Sequence, residues 1–231
     1  YHKPEHVYNL PFFKKSFSNA LNFIESKLGA YPYSEVRLLE IPSYQESLYA
    51  FPNTIAVSEN EGWYAVSTSL ENRVYMEFTV ASNLIAHWIM QNIPVANVQG
   101  ADMLRQALPE ALAMQIVEAQ FGKEGLDGLI TKKQGLYARE RGTEPNSEPT
   151  LIAADGIEYL ESNKGTLALY ELSQLMGFSH FNKNVKNWAQ GLEAKGTFYD
   201  LYLTLLGSEQ ITTISKTEIQ ELKNVFEKVE P

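Results

Sequence analysis

The chain has 231 residues, 44% of them hydrophobic and 12% aromatic, enough apolar material for a substantial core arranged as one large domain or two lobes. Its 19 Lys and Arg against 28 Asp and Glu give a net charge of −9 with no basic run, which sets nucleic acid aside as a partner. Cysteine is absent, so disulfides, thiolate metal sites and cysteine nucleophiles are excluded together, and apolar runs such as Leu84 to Met90 fall far short of the ~20 residues of a membrane helix. The sequence opens on Tyr1 without an initiator methionine, as expected of a piece of a longer protein whose targeting signals lie elsewhere.

In chain order, Phe13, Phe17, Leu21, Ile24 and Leu28 recur at steps of three and four residues and predict an amphipathic helix over 11–28, closed by Gly29. Tyr31 to Tyr33, around Pro32, breaks the pattern. Val36 to Ile41 and Ser47 to Phe51 read as strands, and the aromatic and β-branched mixture at Gly62 to Thr68 predicts a third. From about Glu71 the spacing turns helical: Phe78 to Gln91, Ala101 to Phe121, Lys123 to Arg139, Gly165 to Met176, and a terminal amphipathic helix over Ser215 to Val229. The polar, turn-rich run Gly142 to Pro149 (GTEPNSEP) reads as a surface loop. The organisation expected is α+β, a small mixed β-sheet lobe over residues 1–75 followed by a helical lobe over 76–231.

One helix carries chemistry-bearing residue types. A zincin site needs two His one helical turn apart, with a Glu beside the first to deprotonate the metal-bound water. Ser82 to Met90 reads SNLIAHWIM, matching that pattern when Asn83 takes the first His, Leu84 the Glu and His87 the second His. A lone His on a mostly apolar helix is more often a core residue than a ligand, so the surroundings decide. Gln106 stands nineteen residues after His87, where the third ligand, a Glu, lies in gluzincin aminopeptidases. Upstream, Ala56 to Gly62 reads AVSENEG and sets Glu59 and Asn60 on the Glu and Asn of the GxMEN loop. Downstream, Ser162 to Gly165 reads SNKG, placing Ser162 on the Tyr of a YxKG segment.

With these landmarks in order, the chain resembles the catalytic domain of aminopeptidase N-like zinc metallopeptidases. It is further similar to peptidase domains fused to ABC-type permeases of Bacteroidetes-like bacteria, through AYPYSEVRLLEIPSY at Ala30 to Tyr44, FPNTI at Phe51 to Ile55 and VQGADML at Val98 to Leu104. The resemblance implies a thermolysin-like fold, a peptide amino group held by Glu59 with Asn60, and the extracytoplasmic, periplasmic side of an inner-membrane protein. It also implies that the chemistry is lost. Asn83 and Gln106 offer amide oxygens, poor ligands for zinc; Leu84 accepts no proton; Ser162 is too short to replace the oxyanion-binding Tyr. His87 alone keeps a ligand type, so neither zinc nor catalysis is expected.

The expectation is therefore an inactive pseudopeptidase that binds a peptide amino end or a protein partner. The alternatives are an active metallopeptidase with unusual ligands, for instance His87 with Glu110, and a spacer with no ligand. Glu161 and Asp155 read as helix-start acids, Trp88 and Trp188 as core residues, and His2, His6 and His180 as histidines without a metal-spaced partner.

Overall fold

The computed structural model describes residues 1–43, 49–142 and 147–229. Helix α1, Leu10–Phe23, begins with a proline in its first turn and runs on into a π-helical turn, Ile24–Leu28; Gly29, at φ 135°, ends it. Phe13, Ala20, Ile24 and Leu28 are buried along its inner face, so the predicted span and its spacing agree with the observed element.

The sheet is small. Strand β1, Arg37–Ile41, pairs parallel with β3, Thr54–Ser58, and β2, Tyr49–Phe51, pairs antiparallel with the other side of β3, giving the order β1-β3-β2. Pro52 and Asn53 make the turn between β2 and β3, Asn53 taking the left-handed conformation, φ 55°, that Asn tolerates. Central strand β3 buries Ile55, Ala56 and Val57. The predicted second strand falls partly on 44–48, outside the described residues.

The third strand predicted at 62–68 is not a strand: the third strand is β3, and the chain beyond it enters a π-helical turn, Glu59–Trp63. The reason lies in buried Asn9, whose side-chain amide donates to the carbonyls of Gly62 at 2.5 Å, Trp63 at 3.3 Å and Ala65 at 2.9 Å. Those carbonyls are the acceptors that a β-ladder would need. Trp63, meanwhile, turns its indole N–H to the Val57 carbonyl at 3.1 Å and packs on Phe13, so the aromatic content reflects a core anchor and not a pleated surface.

Helix α2, Leu70–Asn92, starts eight residues before the predicted Phe78, at an N-cap where the Ser69 side chain accepts from the Asn72 N–H. It lies against α1 on one side and α3, Leu108–Glu140, on another, and also touches β2 and β3. One apolar cluster runs from Phe13 through Ile55, Ile85, Leu112 and Leu169 to Phe226, so the sheet lobe and the helical lobe share a core. The break predicted between Phe121 and Lys123 is present: Gly122 takes φ 65°, a backbone that favours glycine. The two halves of α3 fold back on each other there, bringing Glu110 and Lys133 into contact.

Helices α4, Thr166–Met176, α5, Phe178–Gln190, and α6, Phe198–Leu206, follow. Helix α7, Lys216–Glu227, closes the sequence of elements from a Ser215/Glu218 capping box. Trp88 is buried and Trp188 packs under Gly196, the core roles expected. The architecture is α+β, and no described helix is long and apolar enough to cross a membrane.

Because one buried side chain holds three carbonyls, Asn9→Ala should lower stability by about 2 kcal/mol, measured as a shift of the urea midpoint. An Asn9→Ala chain as stable as wild type would mean that these carbonyls find other donors.

Candidate functional site

Three of the seven aligned positions converge. Asn83 on α2, Gln106 on a π-helical turn, Met103–Ala107, and Ser162 on another, Leu160–Gly165, line one cavity of about 300 Å³ together with Glu110, Lys133 and Glu158. Two of these side chains are committed to the fold. The Asn83 amide donates back to the Thr79 carbonyl of its own helix at 2.7 Å. The Ser162 hydroxyl donates to Glu110, 3.2 Å from each carboxylate oxygen.

Glu110 is the most heavily bonded acid of this cavity. Besides Ser162 it accepts from Lys133 Nζ at 2.7 Å and from the Thr166 hydroxyl at 2.8 Å. Lys133 is itself buried, donates to the Ser162 carbonyl at 2.7 Å and stands 4.8 Å from the centroid of the Phe78 ring. The strong cation of the cavity is thus an ammonium from the protein. The aligned positions do not suit zinc: two neutral amides and a hydroxyl supply none of the imidazoles it favours, and the ammonium fixed on Glu110 repels a divalent ion, which leaves Glu158 as the other carboxylate of the lining.

Leu84, next along α2, is fully buried in the core, so the position of the expected base does not open to the cavity. His87 does not line it either. Its ring is completely buried, with Nδ1 2.8 Å from the Tyr31 hydroxyl and the Tyr33 ring edge-on at 5.9 Å. Burial pushes the Tyr31 phenol well above its usual range, so it meets Nδ1 as a neutral hydroxyl. Nε2 makes no hydrogen bond of normal geometry, although the backbone of Phe51 and Thr54 lies close enough to favour the charged ring slightly. Burial outweighs that and lowers the His87 pKa to about 4.

Glu59 lies elsewhere again, in the turn after β3, while Asn60 beside it is exposed. The Glu59 carboxylate accepts from the Lys3 ammonium in a close pair and from the Ser43 N–H at 3.3 Å; chiefly the Lys3 contact holds its pKa below the usual carboxylate range. Glu40 of β1 and His6 complete the group. Their side chains are 5% and 6% exposed, and His6 Nδ1 meets Glu40 in a close contact while Nε2 is 2.6 Å from the Tyr64 hydroxyl. Glu59, His87, Gln106 and Ser162 therefore fall in three places: a cavity with Asn83, Gln106 and Ser162, a buried ring at His87, and a cluster on the sheet lobe at Glu59.

Other expectations need correction. His6, read as a histidine without a metal-spaced partner, is brought by the fold beside Glu40 and Glu59. Glu161 does stand in the first turn of its helix, as read, but it is no ordinary acid there: it is 1% exposed, Oε1 has no partner, and burial raises its pKa. In the run read as a surface loop, residues 143–146 lie outside the described residues, but Glu148 is buried, accepting from Tyr137, Tyr159 and Lys164 at 2.9, 3.3 and 3.0 Å. Lys133 was legible in the sequence, since it falls on the stripe of Leu126, Leu129 and Leu136. The convergence of His6, Glu40 and Glu59 has no spacing signal, because they come from three separate segments.

Two measurements follow. Removing one member of a buried ion pair strands the other, so Lys133→Ala should destabilise the chain by about 3 kcal/mol, and the double variant Lys133→Met/Glu110→Leu by much less than the sum of its single changes. Additive losses would mean that the pair is not coupled. For His87, the folded ring stays neutral down to about pH 4, whereas the unfolded ring protonates near its usual value of about 6.5. The unfolded chain then binds more protons between these limits, so stability falls as pH is lowered through that window, by on the order of 3 kcal/mol. His87→Gln should flatten this dependence in urea titrations at a series of pH values, and an unchanged slope would rule out His87 as its source.

No family model matches the chain, and no curated protein matches it.

Proposed function

We propose that the chain is a catalytically inactive, aminopeptidase-like domain with a thermolysin-like arrangement, acting as a peptide- or protein-binding module on the extracytoplasmic side of a bacterial membrane protein. The resemblance in sequence supplies the family and the location. The observation that carries the loss of catalysis is Lys133: an ammonium fixed by Glu110 and the Ser162 carbonyl lies in the cavity that Asn83, Gln106 and Ser162 line. A metallopeptidase needs a divalent ion, a base and an oxyanion donor in that place. Here the base position is the buried Leu84, and the acid that would rescue an unusual ligand set, Glu110, already has three donors.

Binding of an amino end is supported by Glu59. Its carboxylate already accepts a primary ammonium, that of Lys3, and remains ionised. Lys3 is half exposed, so a peptide amino group can exchange with it without unfolding anything.

With zinc supplied in excess, aminoacyl fluorogenic substrates should not be hydrolysed above the background of a Gln106→Ala chain. Turnover that disappears in Gln106→Ala or Asn83→Ala would overturn the assignment. In fluorescence anisotropy, short peptides with a free amino terminus should bind, their N-acetylated forms should not, and Glu59→Gln should weaken binding at least about tenfold. Equal binding of free and acetylated peptides would remove Glu59 from recognition.

A further inference from the structure

The geometry points to a divalent transition-metal site at His6, Glu40 and Glu59, on the sheet lobe and separate from the cavity of Asn83 and Gln106. Each residue offers one ligand atom, and the three atoms lie within 4.8 Å of one another. Tetrahedral coordination with bonds of about 2.1 Å sets ligands ~3.4 Å apart, a closure that side-chain rotations of two glutamates provide. The three residues come from the chain start, β1 and the turn after β3, so the folded sheet preorganises the set.

The donor chemistry selects the ion. One imidazole with two carboxylates suits zinc or manganese, where an all-oxygen site would suit calcium or magnesium and a sulfur site copper(I). The His6 ring is already oriented to ligate, because with Tyr64 behind Nε2 at 2.6 Å, Nδ1 is the nitrogen turned to the carboxylates. A hydrogen-bonded group behind a ligating imidazole fixes its ring in this way.

Charge and access argue the same way. Two carboxylates that are 5% and 10% exposed are brought beside one another, and like charges withdrawn from water call for a cation. Lys3 supplies one on a flexible stem that is 54% exposed, so an ion can displace it. An open depression of about 310 Å³, bordered by Lys3, Glu40, Pro42 and Glu59, gives an ion a route in and leaves room for water to complete its coordination. The ion and a peptide ammonium would compete for Glu59, but the metal site does not rest on the peptidase reading.

Isothermal titration of zinc into the metal-stripped 231-residue chain should find a single site. Glu40→Gln and His6→Ala should each weaken it at least about tenfold, and Lys3→Met should tighten it about fivefold by removing the competing ammonium. Asn83→Ala and Gln106→Ala should bind as wild type. Cobalt(II) read by its visible absorption should give a spectrum that changes in His6→Ala; if that variant does not fold, Lys3→Met carries the test alone, since only a site at Glu59 responds to it. Absence of zinc binding, or binding indifferent to His6, Glu40 and Lys3, overturns the site. Binding lost with Asn83 or Gln106 instead would move the ion to the other cavity, and turnover there would overturn the proposed function, so the two failures are told apart.

Discussion

The contact between Lys133 and Glu110 ties the fold and the candidate cavity together. It joins the two halves of α3 across the break at Gly122, and through Ser162 and Thr166 it fastens them to the turn that leads into α4. A pair withdrawn from water in this way costs desolvation and repays it only when every remaining donor and acceptor finds a partner. Glu110 has three side-chain donors, and Lys133 has a carboxylate and a carbonyl. The charges of the cavity wall are thus largely satisfied within the protein, and a satisfied charge is a poor reagent.

Helix α2 shows the same logic. Its inward residues, among them Val80, Leu84, Ile85 and Ile89, are buried in the shared core, and several polar groups that enter with them take partners from other elements, although Nε2 of His87 and Nε of Arg73 do not. Glu77 accepts from Ser16 at 2.6 Å and from Asn19 at 3.0 Å, both on α1, and Nδ1 of His87 shares a hydrogen bond with the Tyr31 hydroxyl. On the far side of the core, Gln115 and Asn182 exchange two amide hydrogen bonds at 3.2 and 2.9 Å. Such pairs fix the register of neighbouring helices, because a slip would strand a polar group in an apolar layer.

Elements governed by apolar spacing were legible in the sequence. Helix α1, the break at Gly122 and the capped α7 follow from periodicity, a glycine that only a left-handed backbone requires, and Ser215 with Glu218. What failed was governed by single distant contacts. Nothing in GWYAVST announces that Asn9, more than fifty residues earlier, takes three of its carbonyls, and nothing near Ser69 separates the first turns of α2 from the loop before them. The candidate site divides too: Asn83, Gln106 and Ser162 were singled out only through the family resemblance, since they lie on three separate elements, whereas His6, Glu40 and Glu59 meet only after the sheet has formed.

How the aligned positions are dispersed says more than their identities. A hydrolytic centre keeps its groups poised, with a base whose proton affinity matches the working pH and donors aimed where charge will develop. His87, neutral to about pH 4 and capped by a phenol that does not ionise, is poised for nothing near neutrality, and Leu84 is simply core. The one acid at these positions that remains ionised and near solvent is Glu59, where a lysine from the same chain already sits. The sheet lobe, by contrast, brings an exchangeable ammonium, two carboxylates and an imidazole into one group, an arrangement suited to the binding of charge.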